Sequence, residues 1–271
     1  MITSRQHPLI KHLIKLEESA HYRREANLTL LDGLHLIRAY QAAWGFPEQI
    51  VASESYLQHC NNPKNLHDLL GVTLPKIAVV SDALMRVVSP VKTPTGILAI
   101  IAKPMVEEIY DNFAEDFALL LENIQDPGNL GSILRSAASD NASNAYSSNN
   151  CSDAWSPKTL RAGMGGQFFL NIYENSNLVR IAQNFPGQVI ATSLTATKSL
   201  FDISLRSPVA FVFGNEGSGV SSELLQQADE IIKIPMLGKT ESLNVAAAAA
   251  VCMFEKVRQG NTAADDKVGA K

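Results

Sequence analysis

Histidine is absent from most of this chain. All six histidines lie in its first quarter, at positions 7, 12, 21, 35, 59 and 67. Histidine is the commonest proton acceptor in enzyme sites. Chemistry centred beyond residue 67 must therefore proceed without a histidine base, unless the N-terminal part or a second subunit supplies one.

Cysteine is scarce and scattered. The three cysteines, Cys60, Cys151 and Cys252, are far apart, and no Cys-x-x-Cys spacing occurs. This pattern argues against a zinc site and against a disulfide framework. We expect buried free thiols and no bound metal.

Long apolar runs are also missing. No segment approaches the roughly 18 consecutive apolar residues of a membrane span, and Met1–Pro8 lacks the features of a signal peptide. We therefore expect a cytoplasmic protein with no membrane partner.

Charge is unevenly distributed along the 271 residues, 46% of which are hydrophobic. Residues 1–105 hold 11 Lys and Arg against 8 Asp and Glu, a net charge of +3. The remaining residues hold 12 against 19, a net charge of −7. The length predicts one large or two modest domains. A polyanion would meet the N-terminal part more readily, although +3 is also an ordinary value for a surface of this size.

The N-terminal part alternates short strands with helices, which indicates a small α/β domain. A helix is predicted after His7-Pro8, where apolar residues recur every three or four positions. Further helices are predicted from Gly33 and over 82–88. The predicted strands cover 28–31, 49–53, 76–80 and 97–101.

A change in composition marks the start of a second domain. Lys103–Asp116 contains Pro104, several acids and few apolar residues, as a linker would. The next segment, 117–121, is an all-apolar strand of the kind buried in parallel sheets. Residues 261–271 are small and polar, which predicts a flexible tail.

Two stretches late in the chain predict a strand, a glycine-rich or tight loop, and a helix. The strand 209–213 runs into Gly214–Gly219, and Ser221 is a suitable N-cap for the following helix. The strand 231–235 precedes a helix that starts near Ser242. This layout brings backbone N–H groups to a ligand at the carboxyl ends of the strands.

An earlier turn, Pro127-Gly128-Asn129, predicts a helix over 130–139 with Asn129 as its N-cap. A second helix is capped by Ser156, begins at Pro157 and ends at Gly165-Gly166. Between them, residues 141–150 are rich in Asn and Ser. Their low strand propensity predicts a short, irregular or poorly ordered element.

Three segments together resemble the signatures of the SpoU/TrmH group of SPOUT RNA ribose 2′-O-methyltransferases. They are Asn129-x-Gly131-x-x-x-Arg135, Gly214-x-Glu216-Gly217-x-Gly219, and Ile234-Pro235-Met236-x-Gly238 followed by Ser242-Leu243-Asn244-Val245. The N-terminal part is similar to the L30e-like domain that often accompanies these enzymes. Residues 141–150 depart from the family, which has an apolar strand there.

The resemblance implies an α/β protein of two domains. Residues 1–103 would form an L30e-like α/β substrate-binding domain, and 104–116 a linker. Residues 117–260 would form a SPOUT methyltransferase domain with a parallel sheet and a trefoil knot, and 261–271 the flexible tail. Knots are too rare to be inferred from spacing alone.

The resemblance also implies S-adenosylmethionine as the cofactor, held largely by main-chain groups. By position its contacts are Gly214, Ile234 and Leu243, with Met236 and Gly238 as neighbours. Thr192, at the end of a predicted strand, is expected to border the same site. Glycine at 214 would let the backbone approach the ligand.

The catalytic positions carried over are Arg135, Asn129, Glu216, Ser242 and Asn244. Arginine is effectively never deprotonated in proteins. We therefore expect Arg135 to bind the phosphate beside the target ribose and to stabilise the developing oxyanion, while that phosphate or water takes the proton. Glu216 is expected to orient Arg135 or the loop N–H groups.

The expected partners are RNA and a second copy of the chain. Arg23, Arg24 and Arg161 are candidate RNA contacts, although a helix end or a brace explains them equally well. Ribosomal RNA is favoured over transfer RNA by analogy. Two alternatives stay open: an RNA-binding protein that has lost catalysis, and a nucleotide-dependent oxidoreductase, against which stands the missing Gly-x-Gly-x-x-Gly motif.

Overall fold

The computed structural model describes residues 1–59, 77–104, 117–205 and 208–268, with side chains as far as residue 260. The chain divides into two compact units. The first comprises Met1–Met105 and Trp155–Phe168, and the second comprises Val106–Ala154 and Phe169–Lys271. Apart from Pro104, the predicted linker lies outside the described residues.

The first unit contains a four-stranded mixed sheet. Its strands are β1 (Leu28–Asp32), β2 (Gln49–Ser53), β3 (Ile77–Val80) and β4 (Ile97–Ala102), in the order β1-β4-β2-β3. β4 pairs antiparallel with β1 and β2, whereas β2 and β3 are parallel. These strands begin and end within one residue of the predicted positions.

The described α-helices of the first unit are Pro8–Glu18, Ala20–Ala26, Leu34–Trp44, Glu54–His59, Asp82–Val88 and Pro157–Gly163. The first shows the predicted apolar face, since Ile10, Leu13 and Leu16 are completely buried in the core. His7 caps this helix, with its Nδ1 accepting the Leu9 N–H at 3.2 Å. The pattern of the sequence thus accounts for this part of the core.

Trp155–Phe168 belongs structurally to the first unit, although the sequence placed it in the methyltransferase domain 117–260. The helix Pro157–Gly163 packs on β1. Thr29 Oγ1 donates to the Trp155 carbonyl at 2.6 Å. The ring of Trp155 lies 5.9 Å from that of Trp44. These contacts join residues more than a hundred positions apart, which local patterns do not reveal.

The second unit is built on a parallel seven-stranded sheet in the order β7-β6-β5-β10-β8-β11-β9. The predicted parallel α/β architecture is therefore confirmed. The strands are β5 (Phe117–Leu121), β6 (Asn144–Ser147), β7 (Asn171–Glu174), β8 (Gln188–Thr192), β9 (Lys198–Ser199), β10 (Val209–Phe213) and β11 (Glu230–Lys233). The trefoil knot stays a prediction.

The described helices of the second unit are Pro127–Ser139, Leu178–Asn184, Ser222–Leu225 and Val245–Val268. Ser221 caps the third of these, as predicted. The C-terminal helix continues to Val268, whereas the sequence predicted a flexible tail from residue 261. Alanine-containing segments favour the helix even when they are polar, so the helix does not have to end where the apolar run does.

The polar segment 141–150 was predicted to form a short, irregular or poorly ordered element, and it contains a strand that is short but regular. β6 is buried along its four residues and pairs with both β5 and β7. Asn171 Nδ2 donates to Asn144 Oδ1 at 2.9 Å, and the rings of Tyr146 and Tyr173 stack 4.8 Å apart. Neighbouring strands satisfy the polar groups, so sheet context overrides low propensity.

The structure also bears on the apolar segments and the cysteines. Within the described ranges, no helix is long and apolar enough to cross a membrane. Cys252 is buried, and desolvation raises the pKa of its thiol to about 12. Cys151 is partly buried and free, whereas Cys60 lies outside the described residues.

Candidate active site

A cavity of about 500 Å³ opens at the carboxyl ends of three neighbouring strands, β8, β10 and β11. Thr192, Phe213 and Lys233 line it where these strands end. The chain builds β5, β6 and β7 outward in one direction and then returns to the other side of β5. A reversal of this kind marks the edge at which open parallel sheets bind ligands.

The glycine loop 214–219 forms one wall of the cavity and is closed on itself. Asn215 and Gly219 exchange two backbone hydrogen bonds of 3.1 and 2.9 Å. The Asn215 side chain accepts the Gly217 and Ser218 N–H groups at 2.9 and 3.0 Å and donates to the Asn123 carbonyl at 2.9 Å. The side chain therefore holds the loop in shape.

Glycine at position 214 lets the loop close on itself. A Cβ at this position would lie 2.3 Å from the backbone of Gly219 and Val220. The predicted contact of the Gly214 main chain with the cofactor stays a prediction. Gly214 still lines the cavity through its main chain.

The segment after β11 supplies the apolar part of the cavity. Ile234, Met236 and Leu243 all line it, as does Thr192 from β8. The Thr192 hydroxyl donates to the Val212 carbonyl at 3.2 Å, which ties β8 to β10. Gly238 is not among the lining residues, so the structure brings together the other predicted cofactor contacts without it.

A chain of hydrogen bonds joins three of the predicted catalytic side chains. Asn244 Nδ2 donates to Asn129 Oδ1 at 2.9 Å, and Asn129 Nδ2 donates to Glu216 Oε1 at 2.9 Å. Asn244 Oδ1 accepts the Ala246 N–H at 2.9 Å, so this residue also caps the C-terminal helix. Three distant segments of the sequence therefore meet beside the cavity.

Asn129 is available for this relay because it is not the N-cap of its helix. The helix begins at Pro127, and Asp126 Oδ1 accepts the Asn129 N–H at 2.8 Å. The predicted start at residue 130 was wrong because Pro127-Gly128 was interpreted as a turn. Proline is in fact well suited to the first helical position.

Arg135 lies two turns into the same helix, and its side chain is exposed. No hydrogen bond or ion pair joins its guanidinium to another residue in the described part of the chain. Glu216 was expected to orient Arg135 or the loop N–H groups, and the structure shows it accepting from the Asn129 side chain at 2.9 Å. Ser242 is exposed and lines the cavity.

The candidate RNA contacts separate into different environments. Arg23 is buried and donates to the carbonyls of Leu16 and Glu17 at 2.6 and 2.8 Å. It therefore closes the end of the helix Pro8–Glu18, and its assignment to RNA was wrong. Arg24 is exposed.

Arg161 braces the first unit. Its NH1 group lies 3.3 Å from Oδ2 of Asp32, whose side chain is completely buried. The Asp32 carboxylate also accepts from Thr95 Oγ1 at 2.5 Å. Of the two roles left open for Arg161, the structure supports the brace.

Sequence reasoning missed two supporting residues. Asn215 shapes the glycine loop, and Glu122 Oε2 accepts the Ser221 N–H at 2.7 Å, which fixes the start of the next helix. Asn215 carries a local signal, since asparagine beside glycine commonly bonds to the backbone two residues on. Glu122 carries none, because its partner is 99 positions away.

A cavity at the strand ends of a parallel sheet, with a glycine loop and a cluster of polar side chains, is the arrangement in which α/β enzyme domains commonly bind nucleotide-like ligands. The sequence profile of the SpoU rRNA Methylase family matches residues 116–254, and the chain belongs to this family. It is therefore an RNA methyltransferase, which sets the oxidoreductase alternative aside.

Individual relatives cover nearly the whole chain. It is 32% identical to an uncharacterized tRNA/rRNA methyltransferase of Synechocystis sp., over 95% of this chain and 93% of that protein. It is 29% identical to a 23S rRNA (guanosine-2′-O-)-methyltransferase of Burkholderia sp, over 86% and 97%. Its structure is similar to the crystal structure of an AdoMet-bound rRNA methyltransferase from Sinorhizobium meliloti, with a TM-score of 0.76, 26% identity, and coverage of 95% and 97%.

Proposed function

We propose that the protein methylates the 2′-hydroxyl of a ribose in structured RNA, with 23S ribosomal RNA as the substrate. The observation that carries this proposal is the relay of 2.9 Å hydrogen bonds through Asn129 beside a cavity of about 500 Å³. The named activity of the Burkholderia relative supports the ribose 2′-oxygen of 23S rRNA as the target. A tRNA substrate is the alternative that the name of the Synechocystis relative also includes.

The cavity suits S-adenosylmethionine, the methyl donor of the reaction. Its volume lies within the range of about 300–1,000 Å³ that is usual for small-molecule sites. Its lining combines polar residues such as Thr192, Ser193 and Thr195 with apolar residues such as Ile234 and Leu243. An adenosine would use both kinds of surface. Among the described residues, no group of three or more His, Cys, Asp or Glu side chains could hold a metal ion.

Arg135 provides the positive charge for the RNA side of the reaction. Because its guanidinium is exposed and pairs with no acid among the residues that the structure describes, it can donate two parallel hydrogen bonds to a phosphate. That contact would align the adjacent ribose and stabilise charge developing on its 2′-oxygen. The proton then passes to the phosphate or to water, since arginine remains protonated.

The relay gives the polar residues a positioning role. Glu216 Oε1 is occupied by Asn129, and Asn129 is in turn held by Asn244. Glu216 therefore fixes the glycine loop against the two helices, and we do not assign it as the base. Ser242 and Asn244 complete the rim of the cavity next to Leu243.

We also propose that the protein acts as a homodimer and that the first unit binds RNA, with Arg24 among its contacts. Two large apolar side chains of the second unit stay exposed: Leu237 completely and Phe254 by half. A contiguous apolar patch that includes them would suit contact with a second copy. Analytical ultracentrifugation at micromolar protein concentration tests the dimer. A measured mass of one chain would contradict it.

The central test is Arg135→Ala assayed with tritiated S-adenosylmethionine and total RNA from cells that lack the protein. We expect the wild type to label one RNA, which 2′-O-methyl mapping then identifies. Removing a charge-stabilising donor lowers kcat by about a hundredfold or more. Arg135→Lys retains the charge but loses the bidentate geometry, so an intermediate rate is expected.

The matched control is Arg180→Ala, because Arg180 is an exposed arginine of the same unit that does not line the cavity. Calorimetric binding of S-adenosylmethionine should be the same in all these proteins. Unchanged transfer by a folded Arg135→Ala protein would contradict the mechanism. Binding of RNA and cofactor without transfer to any RNA would favour the non-catalytic RNA-binding alternative.

A further inference from the structure

A second cavity, of about 560 Å³, is lined by residues of the first unit. It is bounded by the short helix after β2, by the helix Asp82–Val88 and by the loop that precedes β4. This loop contains Thr93-Pro94-Thr95-Gly96.

The walls of this cavity are held by specific contacts. Gly96 has a φ of +87°, and a Cβ there would lie 2.9 Å from Cβ of Tyr56, so glycine lets the loop pack closely on that side chain. Thr95 Oγ1 donates to the buried Asp32 carboxylate at 2.5 Å. The cavity is therefore a formed feature of the unit and not a gap between loose loops.

The charged side chains that face the cavity differ in whether they have hydrogen-bond partners. Asp82 is engaged, since its Oδ1 accepts the Ser55 hydroxyl at 2.6 Å and the Ser55 N–H at 3.4 Å. Arg86 and Lys92 are exposed, and neither makes an ion pair or a side-chain hydrogen bond with a residue in the described part of the chain. Both cations are thus accessible to a ligand, although the Asp82 carboxylate beside them also interacts electrostatically with Arg86.

His59 adds a polar group at the rim. Its Nδ1 lies 2.6 Å from the Ser55 carbonyl and must donate to it, because a carbonyl oxygen only accepts. The apolar part of the lining comes from Tyr56, Met85 and Pro94. An aromatic side chain beside unpaired cations is the combination by which proteins hold unpaired RNA nucleotides.

We propose that this cavity is a second RNA subsite that holds one unpaired nucleotide of the substrate. Arg86 and Lys92 bind its phosphate, and its base lies against Tyr56. The inference rests on the proposed function, since an RNA methyltransferase has to select one nucleotide in a long RNA. The net charge of +3 over residues 1–105 favours a polyanion at this unit.

The test uses the full chain and a fluorescein-labelled single-stranded RNA of about ten nucleotides. Fluorescence anisotropy over a salt series compares the wild type with Arg86→Gln/Lys92→Gln. We expect a Kd at least about fivefold higher, and a slope of log Kd against log salt that falls by about 0.7 for each cation removed. Arg5→Gln/Arg38→Gln removes the same charge from exposed positions outside the cavity and should leave both values nearly unchanged.

A photocrosslink locates the contact directly. RNA containing 4-thiouridine should crosslink to peptides from 53–59 or 82–96, and excess unlabelled RNA should suppress the crosslink. Crosslinks elsewhere, or equal losses in the two double variants, overturn the proposal. Suppression by free nucleoside monophosphate at micromolar concentration also overturns it, because the cavity would then be a small-molecule site.

The proposal and the methyl-transfer activity can fail separately. Calorimetric binding of S-adenosylmethionine reports on the other unit and should be the same in all variants. A crosslink at the cavity from a protein that methylates no RNA would support the subsite and refute the proposed reaction. Robust methyl transfer with unchanged KM for RNA in Arg86→Gln/Lys92→Gln would refute the subsite alone.

Discussion

Asp140 is a carboxyl group in an unfavourable place. It is 7% exposed, follows the end of the helix Pro127–Ser139, and its Oδ2 has no hydrogen-bond partner among the described residues. Desolvation raises the pKa of Asp140 from 3.8 to about 6, although Lys256 opposes the shift. A negative charge at a helix C-terminus is itself destabilising.

This environment predicts how stability depends on pH. The folded state binds the Asp140 proton more tightly than the unfolded state, so the destabilisation is complete above pH 6 and disappears below about pH 4. We expect Asp140→Asn to raise the free energy of unfolding by roughly 2 kcal/mol at pH 8. The gain should shrink as the pH falls through 6.

Urea unfolding at a series of pH values measures this effect. Asp202→Asn is the matched control, because Asp202 is exposed, and it should change stability little at any pH. A gain for Asp140→Asn that is equal at pH 5 and pH 8 would show that packing, and not ionisation, is responsible.

The sequence identified which polar residues form the site, but it did not predict which of them hydrogen-bond to each other. Asn129, Glu216 and Asn244 were predicted by type and order, and they meet beside one cavity. Their contacts were not predicted: Glu216 was expected to orient Arg135 or the loop N–H groups, and it accepts from Asn129. Hydrogen-bond partners depend on distances between segments about a hundred residues apart, and no local pattern contains them.

At the scale of elements, the helix Pro8–Glu18 depends on a residue outside it. The carbonyls of its last turn lack intrahelical partners. The Arg23 guanidinium donates hydrogen bonds to two of them, those of Leu16 and Glu17. We expect Arg23→Met to lower the free energy of unfolding by about 2–3 kcal/mol, because it leaves carbonyls without their charged donor.

Arg24→Met provides the comparison, since Arg24 is the exposed neighbour. It should change stability by less than about 0.5 kcal/mol and weaken RNA binding. Chemical unfolding and anisotropy on the same samples separate the two effects. Weaker RNA binding by a fully folded Arg23→Met protein would restore Arg23 as an RNA contact.

Strands that are set by a run of apolar residues were predicted correctly. A strand that is set by its contacts with adjacent strands was not. The strands β5 and β10 are buried apolar runs, and both lie where expected. β6 was missed because its regularity comes from β5 and β7 and from the stacked rings of Tyr146 and Tyr173. A strand buried between two others can be polar if its side chains form hydrogen bonds with each other or with the neighbouring strands.

At the scale of the whole molecule, the first unit is completed by a segment from the middle of the other sequence domain. Trp155 and Phe168 take part in an aromatic cluster with Trp44 and Tyr40, with ring distances of 5.2–5.9 Å. Cutting the chain at the predicted boundary therefore divides a structural unit. Boundaries read from composition did not show this, because one short helix hardly changes composition.

We expect a fragment of residues 117–260 to aggregate, because it carries Trp155, Leu160 and Phe168 without the strand and rings that bury them. Residues 1–268 should remain soluble under the same conditions. Size-exclusion chromatography with circular dichroism compares the two. A monodisperse fragment with cooperative unfolding would mean that 155–168 can pack elsewhere.

The segment 155–168 also determines when the first unit can finish folding during synthesis. The strands of the first unit are all made by Ala102, but the helix that covers β1 is not complete until about 60 residues later. At about 5–20 residues per second the growing chain waits several seconds with this face of the sheet bare. During that interval the nascent protein is a natural client for chaperones that bind exposed apolar surface.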